Sequence, residues 1–327
     1  MRHSLPIFFL FLLLFGACDG FEDLERTYDI TPDESYHPLI MNAQIDGGKQ
    51  EHTVWFHTGS AGWATPSAVS DLTVRINGVV VSEGPSKAGS KSFAATFRPG
   101  DTVRFDATEG DETVSAEVIV PEPVSIIAAE AVATTDWNRL DCRLTLQDPS
   151  GEQNRYRLGA DYEVRYRKNY TDGRVEDCVQ CGAMELDTSD EPLISTGYTT
   201  DENDFNSLLV PENTWSIFTD SAFDGQQATL RFSAFSSLFG VDWEWVLSSE
   251  PMMPGEEYTV SDIRTAVLLK LYSLSDDQYL YLKSITQLEA YDYDFNFLIE
   301  PVPLPTNVAG GLGFVAIDMP AVVRIEL

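Results

Sequence analysis

Short apolar runs separated by turn residues recur along this chain, and they constrain its fold more than any other feature. Between residues 72 and 76, Leu, Val and Ile alternate with polar residues, which is the period of a half-buried β-strand. Asn77-Gly78 follows directly, and this dipeptide is typical of a tight hairpin turn because both residues tolerate positive φ. Similar runs continue to the C-terminus, so the sequence predicts a mostly β protein.

The spacing of these runs predicts two β domains. Strands with turns about every 8 to 12 residues are typical of a small sandwich, and we assign residues 27–122 to an Ig-like β-sandwich. Pro121-Glu122-Pro123 then forms a stiff boundary. We expect residues 123–327 to form a larger β-rich domain. Its predicted strands lie at residues 143–146, 162–166, 228–235, 241–247, 265–271 and 322–327.

One segment of the second domain has the period of a helix. Ser275 is followed three residues later by Gln278, which is the arrangement of a capping box. Tyr279 and Leu282 then begin an apolar stripe, so we predict one amphipathic helix at about residues 276–290. We expect its aromatic side chains to pack in the core.

The N-terminus predicts export and a lipid anchor. Residues 5–15 are almost wholly apolar, but a bilayer span needs about 20 such residues, so they fit a signal peptide better. Gly16 and Ala17 precede Cys18, and the arrangement resembles the lipobox of bacterial lipoproteins. That resemblance implies removal of residues 1–17 and acylation of Cys18, which places the protein on a lipid bilayer. The alternative is ordinary secretion with an incidental cysteine.

An acidic stretch, residues 18–26, follows the lipidation site. It resembles the surface-export signal of Bacteroidota lipoproteins, and this implies a position on the outer membrane, exposed at the cell surface. The alternative interpretation is a flexible charged tether.

The overall charge excludes one class of partner. The chain has 52 acidic and 21 basic residues, a formal net charge of −31. Such a surface repels nucleic acid, which we therefore do not expect as a partner. Its hydrophobic content of 43% is high enough to support packed cores.

The motifs of common enzymes and metal sites are absent from the sequence. Histidine is scarce, and His52 and His57 are five residues apart in a strand-like segment, which puts them on opposite faces. Neither H-E-x-x-H nor G-x-S-x-G occurs. We therefore expect no catalytic residues, no metal and no cofactor.

Three cysteines besides Cys18 remain in the mature chain. Cys178 and Cys181 form a C-x-x-C motif, but zinc would need a second pair and only Cys142 is left. In an oxidising compartment we expect one structural disulfide. It joins Cys178 to Cys181, or Cys142 to either of them; the sequence leaves the pairing open.

Four stretches of the chain resemble one family, the Bacteroidota lipoproteins of domain of unknown function forty-two forty-nine. The strongest are residues 275–284, the predicted helix, and residues 300–314, which read EPVPLPTNVAGGLGF against a typical EPVPLYSNIEGGLGIF. Residues 148–158 and 218–225 are similar to two further stretches. Members resemble outer-membrane lipoproteins, often encoded beside TonB-dependent receptors.

The resemblance implies a binding or accessory protein rather than an enzyme, with a TonB-dependent receptor as its partner in nutrient uptake. The alternatives are a free-standing adhesin or glycan-binding module and, ranked lower, a hydrolase. Loops are the expected binding surface. The candidate partner-binding residues are Tyr291, Tyr293, Phe295, Asn307, Gly310, Gly311 and Gly313, although a structural turn is the favoured role of the three glycines.

Overall fold

The chain is mostly β-strand, as the sequence predicts. A computed structural model describes residues 38–60, 63–134, 138–151, 153–195, 213–236, 247, 257–290 and 304–327. Two helices of the described chain are α1 (Pro192–Ser195) and α2 (Asp276–Ala290). Neither is long and apolar enough to cross a membrane.

Seventeen strands are described. The first eight are β1 (Leu39–Asp46), β2 (Glu51–Ser60), β3 (Trp63–Pro66), β4 (Asp71–Ile76), β5 (Val79–Ser82), β6 (Ser90–Ala94), β7 (Thr102–Glu109) and β8 (Glu112–Ile119). The others are β9 (Ser125–Ala133), β10 (Arg139–Gln147), β11 (Arg155–Tyr170), β12 (Val175–Ala183), β13 (Glu185–Asp187), β14 (Ile217–Thr219), β15 (Gln227–Phe235), β16 (Tyr258–Leu274) and β17 (Val315–Glu326).

The strands form one long sheet and two smaller ones. The long sheet has nine strands in the order β12-β11-β16-β17-β1-β2-β3, with β14 paired to β11 and β6 paired to β2. The four-stranded sheets have the orders β5-β4-β7-β8 and β13-β15-β10-β9. Each covers a different half of the long sheet.

Two hydrophobic cores result from this packing. The first contains Met41 and Phe56 of the long sheet together with Val74 and Phe105 of the β5-β4-β7-β8 sheet. The second lies between the β11–β16 half of the long sheet and the β13-β15-β10-β9 sheet. Side chains alternate along each strand, so the opposite face of the long sheet is available for polar groups and for α2.

The local predictions agree with the structure. Asn77 and Gly78 both have positive φ, at 50° and 80°, and join the antiparallel strands β4 and β5. Helix α2 spans the predicted residues 276–290, and the Ser275 hydroxyl accepts a hydrogen bond from the Gln278 amide at 3.2 Å. The predicted strand at residues 241–247 lies outside the described residues except for Leu247, which is helical.

The C-terminal strand crosses the boundary predicted at residue 122. β17 pairs with β16 on one side and, in parallel, with β1 on the other. Val315 and Ile317 also belong to the first core. Before this C-terminal segment, the first core takes residues up to Val120, and the second core begins at Val124. One continuous sheet nevertheless contributes to both cores.

Candidate functional site

A cleft opens where two short strands share one edge of β11. β14 pairs with residues 155–157, and β12 pairs with residues 161–169. Between them, the Leu158 amide donates to the Ser216 carbonyl at 3.0 Å, and the Met184 amide donates to the Ala160 carbonyl at 2.9 Å. The gap leaves a cleft of about 540 Å³, which is within the size range of small-molecule sites.

Gly159 forms the floor of this cleft, which we call the Gly159 cleft. A Cβ atom at residue 159 would lie 3.2 Å from Cε2 of Tyr272 and 3.8 Å from Cβ of Lys270. A larger side chain would therefore press on Tyr272 and fill the cleft. A glycine inside a strand often marks such a close approach, and this is the signal in the sequence that points to the site.

Lys270 is the central cation of the cleft. Its side chain is only 9% exposed, and its ammonium lies 2.5 Å from Asp161 and 3.7 Å from Asp46. Burial alone would lower the pKa of Lys270, but the neighbouring carboxylates outweigh burial and raise it above its ordinary value. The amine therefore stays protonated, as a hydrogen-bond donor.

A second buried ion pair borders the cleft on the side of α2. The Arg157 guanidinium lies 2.5 Å from Asp318, whose other oxygen accepts a hydrogen bond from the Gln278 side chain. Burial raises the pKa of the Asp318 carboxyl, and the Arg157 charge opposes that rise. The Gln278 side chain thus anchors α2 to β17 rather than completing the predicted capping box.

Two aromatic residues form apolar walls. Tyr272 is buried, and the Arg157 guanidinium lies over its ring at 4.0 Å from the centroid. Trp215, half-buried, lines the cleft beside Thr214 and Ser216. Fixed charges, hydrogen-bonding groups and aromatic surface in one concavity are the composition of a binding site for a small polar molecule.

The glycine loop at residues 306–314 ties the first core together. The Leu312 carbonyl accepts from the Met41 amide at 2.9 Å, on β1 of the long sheet. The Ala309 carbonyl accepts from the Ser115 amide at 2.9 Å, on β8 of the opposite sheet. Asn307 bonds both backbone groups of Val315 through its side chain, at 2.7 and 2.9 Å. The loop therefore bridges two sheets.

The glycines of this loop have packing roles. Gly310 and Gly313 have positive φ, at 81° and 113°. A Cβ atom at Gly311 would collide with the Leu39 carbonyl oxygen and the Val114 side chain. This agrees with a structural turn as the favoured role. Partner binding by the loop stays a prediction, while Tyr291, Tyr293, Phe295 and Cys18 lie outside the described residues.

The predicted disulfide does not form among the described cysteines: Cys142, Cys178 and Cys181 are all free. Cys178 pairs with Tyr166 and Cys181 with Glu163, so the two thiols point to opposite faces of β12. Cys142 is buried in the second core, on a different sheet. C-x-x-C spacing allows a disulfide when the backbone between the cysteines forms a turn. On a strand, the same spacing places the two thiols on opposite faces.

We expect the three thiols to differ in their reaction with N-ethylmaleimide at neutral pH. Burial raises the pKa of Cys142 to about 12, and the exposed Cys181 should react first although burial also raises its pKa. Peptide mass spectrometry should find Cys181 labelled in the native protein and Cys142 labelled only after unfolding. A disulfide-linked peptide, or equal labelling of both, would contradict the structure.

Three carboxylates lie close together at the other end of the second core. Single oxygens of Asp148, Asp220 and Asp224 all lie within 4.8 Å of one another, a spacing that fits a cation. The buried Asp148 accepts hydrogen bonds from the Tyr156 hydroxyl and, at 2.8 Å, from the Gly225 amide. The Asp220 carboxylate accepts a hydrogen bond from the backbone amide of Asn154 at 2.8 Å. These hydrogen bonds account for the cluster, because they join the turn at Asp148 to the turn at residues 220–225.

A sequence profile described as "Domain of unknown function (DUF4249)" matches residues 25–318. The chain belongs to this family. No curated protein matches it. The family-like stretch at residues 300–314 contains the bridging loop, and those at residues 148–158 and 218–225 contain the two tied turns. The resemblance therefore lies largely in residues that shape the fold.

Proposed function

We propose that this protein is a lipid-anchored binding protein of the outer membrane that assists a TonB-dependent transporter in nutrient uptake. The observation that best supports binding is the Gly159 cleft, in which Lys270, Asp161 and Tyr272 meet in a concavity of about 540 Å³. The protein captures a small polar ligand there and presents it to the transporter.

The anchor and its location rest on the N-terminal sequence. The apolar run at residues 5–15 and the lipobox ending at Cys18 supply a signal peptide and an acylation site. The acidic residues 18–26 provide a surface-export signal and a tether. A tethered protein remains close to a transporter in the same membrane, which raises its effective concentration there.

The protein acts by binding and not by catalysis. Lys270 has a raised pKa, so its amine is a donor rather than a nucleophile. The pKa of each described thiol is raised as well. Asp46 and Asp161 both face Lys270, at 3.7 and 2.5 Å, so these carboxylates hold the ammonium rather than forming the acid and base pair of a hydrolase.

A free-standing glycan-binding module is the second candidate. The observation in its favour is the aromatic side chain of Trp215, which is half-buried and lines the Gly159 cleft beside polar groups. This candidate needs the same ligand site but no transporter. The two proposals therefore differ in the partner alone.

Purification from gently solubilised membranes distinguishes them. We expect the tagged, full-length protein to co-elute with an outer-membrane transporter in about one-to-one ratio, in several detergents. The matched control is the Cys18→Ala variant, which should lose the transporter when the tether is essential to the complex. Elution of the wild-type protein alone under all conditions would favour the free-standing module.

A further inference from the structure

The charges around the Gly159 cleft are nearly balanced within the protein itself. Lys270 faces Asp161 and Asp46, and Arg157 faces Asp318. Lys49, 4.0 Å from Asp46, and Glu185 also line the cleft, but both are exposed, so their contributions are weak and of opposite sign. A strongly charged ligand would have to displace one of these internal partners and leave a buried charge unpaired, which is costly. The cleft therefore favours a ligand without net charge.

The same groups retain hydrogen-bonding capacity. An ammonium has three donors, and among the described residues only the 2.5 Å contact with Asp161 is short enough to be a hydrogen bond of Lys270. Each carboxylate has about four acceptor positions, and Asp46 uses one of them for the Gly48 amide at 3.0 Å. Unused donor and acceptor positions are thus both present in the cleft. Hydroxyl groups match this pattern well, because each donates one hydrogen bond and accepts two.

The aromatic wall of the cleft suits the apolar surface of a ligand that carries hydroxyl groups. Trp215 presents aromatic carbon next to the ion pairs, and Gly159 keeps the floor open. A sugar ring has hydroxyls around its edge and an apolar face of C–H groups. An aromatic wall beside paired charges therefore accommodates both parts of the ring.

We infer that the Gly159 cleft binds a neutral mono- or disaccharide, with Asp161, Asp46 and Lys270 bonding the hydroxyls and Trp215 packing against the ring. This inference rests on the proposed binding function and specifies its ligand class. It does not depend on the transporter, because the cleft lies entirely within this chain.

Isothermal titration calorimetry on the full-length acylated protein tests the inference, in a detergent without a sugar headgroup. The probes are glucose, galactose, mannose, maltose and cellobiose, with glucuronate and glucosamine as charged counterparts. We expect at least one neutral sugar to bind at least about 10-fold more tightly than its charged counterparts, a difference of about 1.4 kcal/mol.

Four variants locate the binding. Trp215→Ala and Asp161→Asn should each weaken sugar binding at least about 10-fold, whereas Trp215→Phe should recover most of the affinity. Trp55→Ala is the matched control, since Trp55 is exposed on β2 and does not line the cleft, and it should leave the affinity unchanged. Asp161→Asn is nearly isosteric and part-exposed, so it remains informative when Trp215→Ala fails to fold.

Three results would overturn the inference: binding of no neutral sugar, tighter binding of a charged counterpart, or equal affinity in Asp161→Asn and wild type. Co-elution with the transporter tests the proposed function separately. A protein that co-elutes with the transporter but binds no sugar would refute the ligand class alone. A sugar-binding protein that elutes by itself would refute the transporter partnership alone.

Discussion

Replacing Gly311 with valine is expected to lower the free energy of unfolding by more than about 4 kcal/mol, which is exceptional for one substitution. The added atoms would collide with the Leu39 carbonyl oxygen on β1 and with the Val114 side chain on β8. Both neighbours belong to the first core, whose two sheets the loop joins. Because the obstacle at Leu39 is backbone, a rotamer change cannot relieve it.

Gly78→Ala is the control for this substitution. Unlike Gly311, Gly78 has positive φ, at 80°, and an added Cβ there would meet nothing within 4 Å. We expect it to cost about 1 to 2 kcal/mol from backbone strain alone. Chemical denaturation followed by circular dichroism measures both. A Gly311→Val protein as stable as wild type, but unable to retain its partner, would instead make the loop a binding element.

Replacing Cys18 with alanine is expected to move nearly all of the protein from the membrane fraction to the soluble fraction. The proposed acyl chains are its membrane attachment, and each buried methylene contributes about 0.8 kcal/mol. Without the thiol no acylation can occur. Fractionation followed by immunoblotting measures the distribution.

Cys181→Ser is the matched control for the anchoring test. Cys181 is exposed on β12 and forms no disulfide, so its loss removes a thiol without altering the core. This variant should stay in the membrane fraction. Normal membrane retention of Cys18→Ala would reject the lipoprotein proposal.

Local patterns in the sequence predict individual strands, turns and the helix α2 well. Alternation identifies β4, and Asn77-Gly78 marks the turn before β5. The helix at residues 276–290 follows from its cap and its apolar spacing. In each of these cases the information lies within a few neighbouring residues.

The pairing of distant strands could not be predicted in the same way. The parallel pair formed by β1 and β17 joins residues more than 250 positions apart, as in Ala43 and Val315. Alternation states which side chains face a core but does not state which strand lies alongside. A boundary drawn at Pro121-Glu122-Pro123 therefore divides a sheet that is continuous.

The charged residues of the cleft could not be grouped from the sequence, because they belong to strands whose pairing is not predictable locally. Asp46, Asp161, Lys270 and Asp318 lie on four different strands, and only the order of the long sheet brings them together. Lys270, within the apolar stretch Leu268–Tyr272, resembles any outward-facing residue of a strand. The disulfide expected in part from the C-x-x-C motif was wrong for a related reason. The spacing of the two cysteines does not show whether the backbone between them is a turn or a strand.

The mass of the N-terminal peptide from membrane-extracted protein tests the central claim most directly. We expect a chain that begins at residue 18, with a diacylglycerol on the Cys18 sulfur and an acylated amino terminus. A peptide that extends upstream of Cys18, or one in which Cys18 is unmodified, would contradict a lipid-anchored binding protein.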